Sequence, residues 1–160
     1  MEHLWAPWRM DYITKEQRPG CLFCRVMANP SDPDSELVLW RPEGAIVILN
    51  KFPYNAGHVM VAPAAHKADL ADLDDPESAT FMSALKRTIR VLRESLEPQA
   101  FNVGANIGQA AGAGIPEHVH MHVVPRWNGD TNFMPVLAEV KVINEHLTKT
   151  AEKLRQAFSS

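Results

Sequence analysis

Cysteine is scarce in this chain: Cys21 and Cys24 are the only two among 160 residues. One pair cannot build a disulfide framework, which excludes the stapled scaffolds of small secreted proteins. No apolar run approaches the ~18 residues of a membrane-spanning helix. There is no excess of positive charge either. Sixteen Lys and Arg stand against nineteen Asp and Glu, a net charge of −3, so the chain has no general attraction to a nucleic-acid backbone. Internal repeats and low-complexity blocks are absent. The opening Met1-Glu2-His3-Leu4-Trp5 lacks a basic region followed by an apolar core, and no secretory leader is expected. Two thiols, free or metal-bound, fit a reducing, cytoplasmic compartment. What remains is an ordinary globular composition, 46% hydrophobic and 22% charged, at the length of one domain.

Up to about Ser35 the chain is rich in Trp, Pro and Arg and shows no clear period. Glu36 to Trp40 and Ala45 to Leu49 read as short strands joined through Pro42-Glu43-Gly44, a hairpin. His58 to Ala62 is a third strand, stopped by Pro63. Asp74-Asp75-Pro76-Glu77 carries helix-start chemistry: an Asp cap, a Pro at the first helical position and acidic residues in the first turn. Phe81, Met82, Leu85, Ile89, Leu92 and Leu96 then recur at helical spacing as one apolar face. A fourth strand runs from about Ala100 to Ala105, a Gly-rich loop over 108–114 follows, and His118 to Pro125 is the fifth strand. Residues 144–158 read as an amphipathic helix. Turns too short for parallel crossovers predict a mainly antiparallel five-stranded sheet, hence an α+β domain with one long central helix and a C-terminal helix packed on it.

The chemistry concentrates in His118-Val119-His120-Met121-His122. On a strand, alternate residues share a face, so the three imidazoles would point one way. At ~3.3 Å per residue the outer two start ~13 Å apart, too far to close on one zinc ion. A three-histidine metal site and a merely exposed strand both remain open readings. A phosphoryl site accounts for the pattern better. A neutral imidazole is a competent nucleophile near neutral pH when its other nitrogen donates to a fixed acceptor. Its neighbours can bind phosphate oxygens or protonate a leaving oxygen, and a glycine-rich loop upstream can add backbone N–H groups.

His118-Val119-His120-Met121-His122-Val123-Val124 resembles the triad of the histidine triad (HIT) nucleotide hydrolases and transferases. Asn50-Lys51-Phe52-Pro53-Tyr54-Asn55-Ala56-Gly57-His58, Asn106-Ile107-Gly108 and Pro125-Arg126 resemble the family's other segments. The resemblance runs from about Cys21 to Trp127. Leu4-Trp5-Ala6-Pro7-Trp8-Arg9, residues 111–116, and Arg126 through Phe133 are similar to one branch, the bacterial diadenosine tetraphosphate phosphorylases. The loop departs from the commoner Ala-Gly-Gln form, with Gln109 earlier and Ala113-Gly114 later. The resemblance implies a single HIT domain over 1–160, with an arm at 1–35, a core at 36–127 and a tail with the C-terminal helix at 128–160.

It also implies roles. His120 would attack the α-phosphorus and become nucleotidyl-histidine. His122 would contact the phosphate and assist the leaving oxygen, and His58 would support the triad. Asn50 would hydrogen-bond the ribose, Asn106 the phosphate region, and the backbone at Gly112 and Gly114 would line the phosphates. An adenine nucleotide is the implied substrate, with inorganic phosphate or water as acceptor and magnesium riding on the distal phosphates. Cys21-x-x-Cys24 alone is half a metal site, or simply two buried thiols. Members of the family that bind zinc do so through such a pair, a later His and the first triad His, which here implies structural zinc on Cys21, Cys24, His66 and His118. A homodimer or higher homo-oligomer is implied, and no membrane or nucleic-acid partner. Hydrolysis of adenylyl-amines, a deadenylase acting on nucleic-acid ends, and a binding module with little turnover are the alternatives.

Overall fold

The computed structural model describes residues 19–130 and 146–159. The N-terminal stretch with Trp5 and Trp8, the domain limits that depend on it, and Thr131 to Phe133 lie outside the described residues.

A short helix α1 (Leu22–Ala28) and a 3-10 turn (Pro33–Leu37) lead into β1 (Val38–Trp40) and β2 (Ala45–Leu49). Next come β3 (Val59–Pro63), the long helix α2 (Asp75–Leu96), β4 (Ala100–Gly104), a 3-10 turn (Gln109–Ala111), β5 (Met121–Arg126) and the helix α3 (Leu147–Ser159). The five strands form one sheet in the order β1-β2-β3-β5-β4, every neighbouring pair antiparallel. The expected α+β class, antiparallel five-stranded sheet, long central helix and C-terminal helix are all present. Helix α1 was not anticipated. It is seven residues long and its N-cap, Cys21, makes no side-chain capping bond, so it carries little sequence signal.

Asp74 caps α2 as expected, in a full capping box. Glu77 N–H donates to Asp74 at 2.8 Å and Asp74 N–H to the Glu77 carboxylate at 2.9 Å, satisfying two of the helix's orphan donors. The buried face of α2 is Phe81, Ala84, Leu85, Thr88, Val91 and Leu92. Met82, expected on that face, is instead half-exposed at 49%. Ala84 and Thr88 sit in the core in its place, since the stripe follows the i, i+3, i+4, i+7 positions from Phe81.

Cross-strand partners share a sheet face, and this parity decides where the histidines point. Trp40 pairs with Val47, and Val47 with Val61. The Trp40 ring stacks on Phe158 of α3 at 5.4 Å and carries the Arg87 guanidinium of α2, so α2 and α3 cover that face. His122 pairs with Met60 and Gly104, the opposite parity, and therefore projects from the face away from the two long helices. β2 and β3 are buried along their full length, so that second face is covered too. Phe23 and Val26 of α1 are both fully buried and belong to the same core cluster.

The fifth strand is shorter than expected: it starts at Met121, not at His118. Its pairing with β3 ends at Val61–Met121. Upstream, Val119 N–H donates to Lys67 C=O at 2.7 Å and His118 N–H to Ile115 C=O at 3.4 Å, so the backbone N–H groups of residues 118 and 119 bond to a loop and a turn rather than to a strand. His118 and His120 thus sit on an irregular approach that can aim their rings separately.

Gly57 precedes His58 with φ +72°, and a Cβ there would lie 2.4 Å from Leu96 Cδ1 and 3.4 Å from Pro125 Cγ. Only glycine fits both the backbone and the space. Gly57→Ala is predicted to destabilise the fold by about 1–3 kcal/mol through strain and overpacking. Denaturant unfolding measures it, and an unchanged midpoint would show that the loop yields freely.

Candidate functional site

Four histidine rings, His58, His118, His120 and His122, lie in a continuous run of ring contacts around Phe23 and Tyr54. His58 and His118 are fully buried and His120 is nearly so. Neighbouring ring centroids are 5.1 Å apart for His58–His122 and 4.9 Å for His120–His122. Phe23 sits between the other two, 5.0 Å from His118 and 5.1 Å from His120. Tyr54 packs over His58 at 4.5 Å and His122 at 5.7 Å.

The partners of each ring decide its tautomer, because a carbonyl can only accept and a backbone N–H can only donate. His120 Nδ1 is 2.9 Å from His118 C=O, so Nδ1 carries the proton and Nε2 keeps a lone pair. Tyr54 N–H donates to His58 Nδ1 at 2.9 Å, which puts the proton of neutral His58 on Nε2. That nitrogen is 2.9 Å from His122 Nδ1, which must accept. Neutral His122 therefore holds its proton on Nε2, the one ring nitrogen left to face a ligand. A bare lone pair on His120 and an N–H on His122 thus stand side by side.

Burial favours the neutral form of His120 and His122. It lowers His120 below the usual histidine value, against the raising effect of the His118 carbonyl bond. His122 is pushed down to about 4 by burial first and by His120 second. The lowered values leave both rings neutral at physiological pH.

Asn50 lies at the end of β2. Its Oδ1 accepts from Phe52 N–H at 2.9 Å, and its Nδ2 lies 3.5 Å from His58 Nε2, too long for a strong bond. Asn106 follows β4, two residues past Gly104, the partner of His122. The 108–114 loop turns through positive φ at Gly108 and Gly112, and both Gly112 and Gly114 are exposed with open space at the Cβ position. Gly112 N–H donates to Gln109 C=O at 3.0 Å, so the 3-10 turn uses that donor here.

A second cluster adjoins the first. The ligand atoms of Cys21, Cys24, His66 and His118 all lie within 4.8 Å of one another. His118 Nδ1 is 3.3 Å from Cys21 Sγ, 3.6 Å from Cys24 Sγ and 3.3 Å from His66 Nδ1, and Cys24 Sγ is 3.2 Å from His66 Nδ1. Ligands at tetrahedral zinc distances stand about 3.3–3.8 Å apart, so the donor set closes around one ion of that size. His118 Nε2 lies 2.8 Å from Pro63 C=O and must donate there, leaving an unprotonated Nδ1 toward the cluster. A carbonyl that orients a ligating imidazole in this way is the usual outer-shell arrangement of a metal site. Without a cation, burial and the neighbouring Cys21 push the Cys24 thiol up to about 11. A bound cation reverses that balance. The four residues form a candidate metal site, and His118 belongs to it rather than to the ligand-facing pair.

Of the sequence-predicted residues, His58, His120 and His122 gather with Asn50 beside them, Cys21, Cys24, His66 and His118 form the second cluster, and Asn106, Gly112 and Gly114 lie on the loop after β4. Sequence reasoning missed Phe23 and Tyr54. Phe23 lies between the two cysteines, and Tyr54 inside the Asn50–His58 segment, but neither residue type signals packing on imidazoles.

Two outcomes follow. Cys24→Ser should lower bound metal, read by elemental analysis of the purified protein, together with the thermal unfolding midpoint; unchanged metal content would contradict the ligand assignment. His122 binds a proton near pH 6.5 when unfolded but only near 4 when folded, so its contribution to stability falls as pH drops through that window. Unfolding free energy should decline from pH 6.5 to 4 less steeply in His122→Gln than in the parent. Equal slopes would contradict the buried neutral ring.

A family model described as the HIT domain matches residues 33–129. The AP-4-A phosphorylase of Mycobacterium tuberculosis is 39% identical over 163 residues, covering 96% of this chain and 83% of the relative. A zinc-bound histidine triad family protein from Mycobacterium smegmatis is 32% identical in its crystal structure, with TM-score 0.68 over 87% of this chain and 93% of that one. A hypothetical histidine triad nucleotide-binding protein from Sulfolobus tokodaii shares the fold at 22% identity, with TM-score 0.70 over 87% of this chain and 92% of that one. Among the described residues no helix is long and apolar enough to cross a membrane. The triad, the sheet that carries it and these likenesses agree: the chain belongs to the HIT domain family of nucleotide hydrolases and transferases.

Proposed function

We propose that the protein transfers a nucleotidyl group through His120, with dinucleoside polyphosphates as substrates and diadenosine tetraphosphate phosphorolysis as the reaction. One observation carries the reading: His120 donates its Nδ1–H to the His118 carbonyl, so a neutral, buried Nε2 lone pair remains beside a ring whose Nε2 is protonated.

In the first step His120 Nε2 forms a bond to the α-phosphorus, the bridging P–O bond breaks and ATP leaves. The His122 Nε2–H and loop N–H groups stabilise the charge that develops on oxygen. In the second step a phosphate oxygen attacks the adenylyl phosphorus, the P–N bond breaks and ADP leaves with His120 restored. Water in place of phosphate would release AMP. Asn50 takes the ribose, while Asn106 and the backbone at Gly112 and Gly114 lie along the phosphates, with magnesium on the distal ones. Identity to the tuberculosis AP-4-A phosphorylase supports this substrate class over adenylyl-amines.

The metal on Cys21, Cys24, His66 and His118 is zinc on this reading, supported by the thiolate and imidazole donor set and by the zinc-bound mycobacterial relative. It is structural, since four protein ligands leave no open position. A cytoplasmic setting keeps both thiols reduced for it. The arm at 1–35 and the tail at 128–160 flank a core at 36–127. Among the described residues β4 is an edge strand with mostly exposed residues, Val103 among them at 41%, which supports a homodimer built on that edge.

Product analysis with diadenosine tetraphosphate tests the reaction. ATP plus ADP, appearing only with inorganic phosphate, is expected. ATP plus AMP regardless of phosphate would make the protein a hydrolase, and no product would remove this substrate. His120→Ala should cut turnover by about 10³-fold or more with the fold intact, and retained activity would contradict the nucleophile.

A further inference from the structure

We infer that Asn55, anchored by Asp130, is a positioning residue that sets which ring nitrogen of His122 carries the proton. The inference rests on the nucleotidyl-transfer reading, because only there does an N–H on His122 Nε2 matter.

A neutral imidazole left to itself distributes its proton over both nitrogens. In this site the choice is made remotely. Tyr54 N–H forces His58 to be protonated on Nε2, and His58 Nε2–H forces His122 to accept on Nδ1. The whole relay depends on where the Tyr54 peptide unit is held. Tyr54 cannot hold it through burial of its own side chain, since the residue is 51% exposed.

The neighbouring residue does. Asn55 is only 8% exposed, and the hydrogens of its side-chain amide have two partners. Its Nδ2 donates to Pro125 C=O at 3.0 Å and to Asp130 Oδ2 at 2.7 Å. Its backbone C=O accepts His58 N–H at 3.1 Å. Asp130 is fixed in turn. Arg126 clamps its carboxylate with bonds of 2.7 and 2.8 Å, and Trp127 N–H adds a third at 3.0 Å. Arg126 also reaches Asn102 Oδ1 on β4 at 2.7 Å.

Pro125 and Arg126 belong to β5, the strand that carries His122. The anchor therefore registers the 50–58 loop against the same strand whose histidine the loop controls. A loop displaced from that register would remove the Tyr54 donor from His58. His58 could then carry its proton on Nδ1, and His122 could present a bare Nε2 lone pair to a phosphate oxygen, which repels it. A turn staple that served stability alone would have no reason to act on proton placement.

The test is the tautomer of each ring, read in protein labelled with ¹⁵N-histidine by long-range ¹H–¹⁵N correlation spectra at neutral pH without substrate. The parent should show His58 and His122 both protonated on Nε2. In Asn55→Ala both rings should shift to mixed tautomers, kcat for dinucleotide cleavage should fall about tenfold, and KM should change far less. Asp130→Asn keeps the shape and weakens the anchor, and serves as the second variant should Asn55→Ala not fold. It should shift the same two rings in the same direction by a smaller amount. Unchanged tautomers in a folded variant would overturn the inference, as would shifted tautomers with unchanged kcat. Because the spectra need no substrate, tautomers that shift while the parent cleaves no dinucleotide would support the positioning role and remove the proposed reaction instead.

Discussion

The site depends on one constraint: each buried imidazole has one nitrogen committed to a fixed partner, so the other is left in a single protonation state. Backbone groups make three of these commitments. The Pro63 carbonyl orients His118, the His118 carbonyl orients His120, and the Tyr54 N–H orients His58. The fourth is the ring-to-ring bond from His58 to His122. For His120 and His122 burial also disfavours the charged ring. A lone pair and a proton are placed next to each other with no carboxylate needed as an orienting base.

His118 joins this arrangement to the cysteine cluster. Its ring faces Cys21, Cys24 and His66 while its carbonyl accepts the His120 Nδ1–H. It has this freedom because β5 does not begin until Met121, so the residues before it are tied to a turn and a loop. Phe23, held between the two cysteines in sequence, fills the space between the His118 and His120 rings. The short helix α1, which has little intrinsic stability at seven residues, is thereby packed against both rings through its first turn. On the proposed reading a metal there is an outer support of the nucleophile's geometry.

Much of the fold was legible in the sequence. The α2 start was visible because capping chemistry is local: Asp74, Pro76 and Glu77 act within one turn. The four cluster residues were legible only through family resemblance, since nothing in a Cys-x-x-Cys spacing says which of seven histidines completes it. The strand over His118 to Pro125 was overextended for a clear reason. Alternation of His with Val and Met satisfies the strand pattern, but pairing with β3 ends at Val61–Met121 although β3 runs on to Pro63, and Val119 N–H donates to the Lys67 carbonyl instead. Phe23, Tyr54 and Asn55 were not legible as site residues. Phe23 and Asn55 take their roles from contacts across tens of residues, 70 to 75 positions apart for Asn55 with Pro125 and Asp130, and Tyr54 acts on His58, four positions on, through a backbone N–H that nearly every residue type carries.

The central claim is that His120 forms a covalent bond to the nucleotide. The direct measurement is a rapid quench in alkali after mixing the protein with diadenosine tetraphosphate, followed by peptide mapping by mass spectrometry. The account predicts an adenylyl adduct on the peptide spanning His118 to Arg126, localised to His120 and absent from His120→Ala. An adduct on another residue, or turnover with no adduct at any quench time, would contradict it.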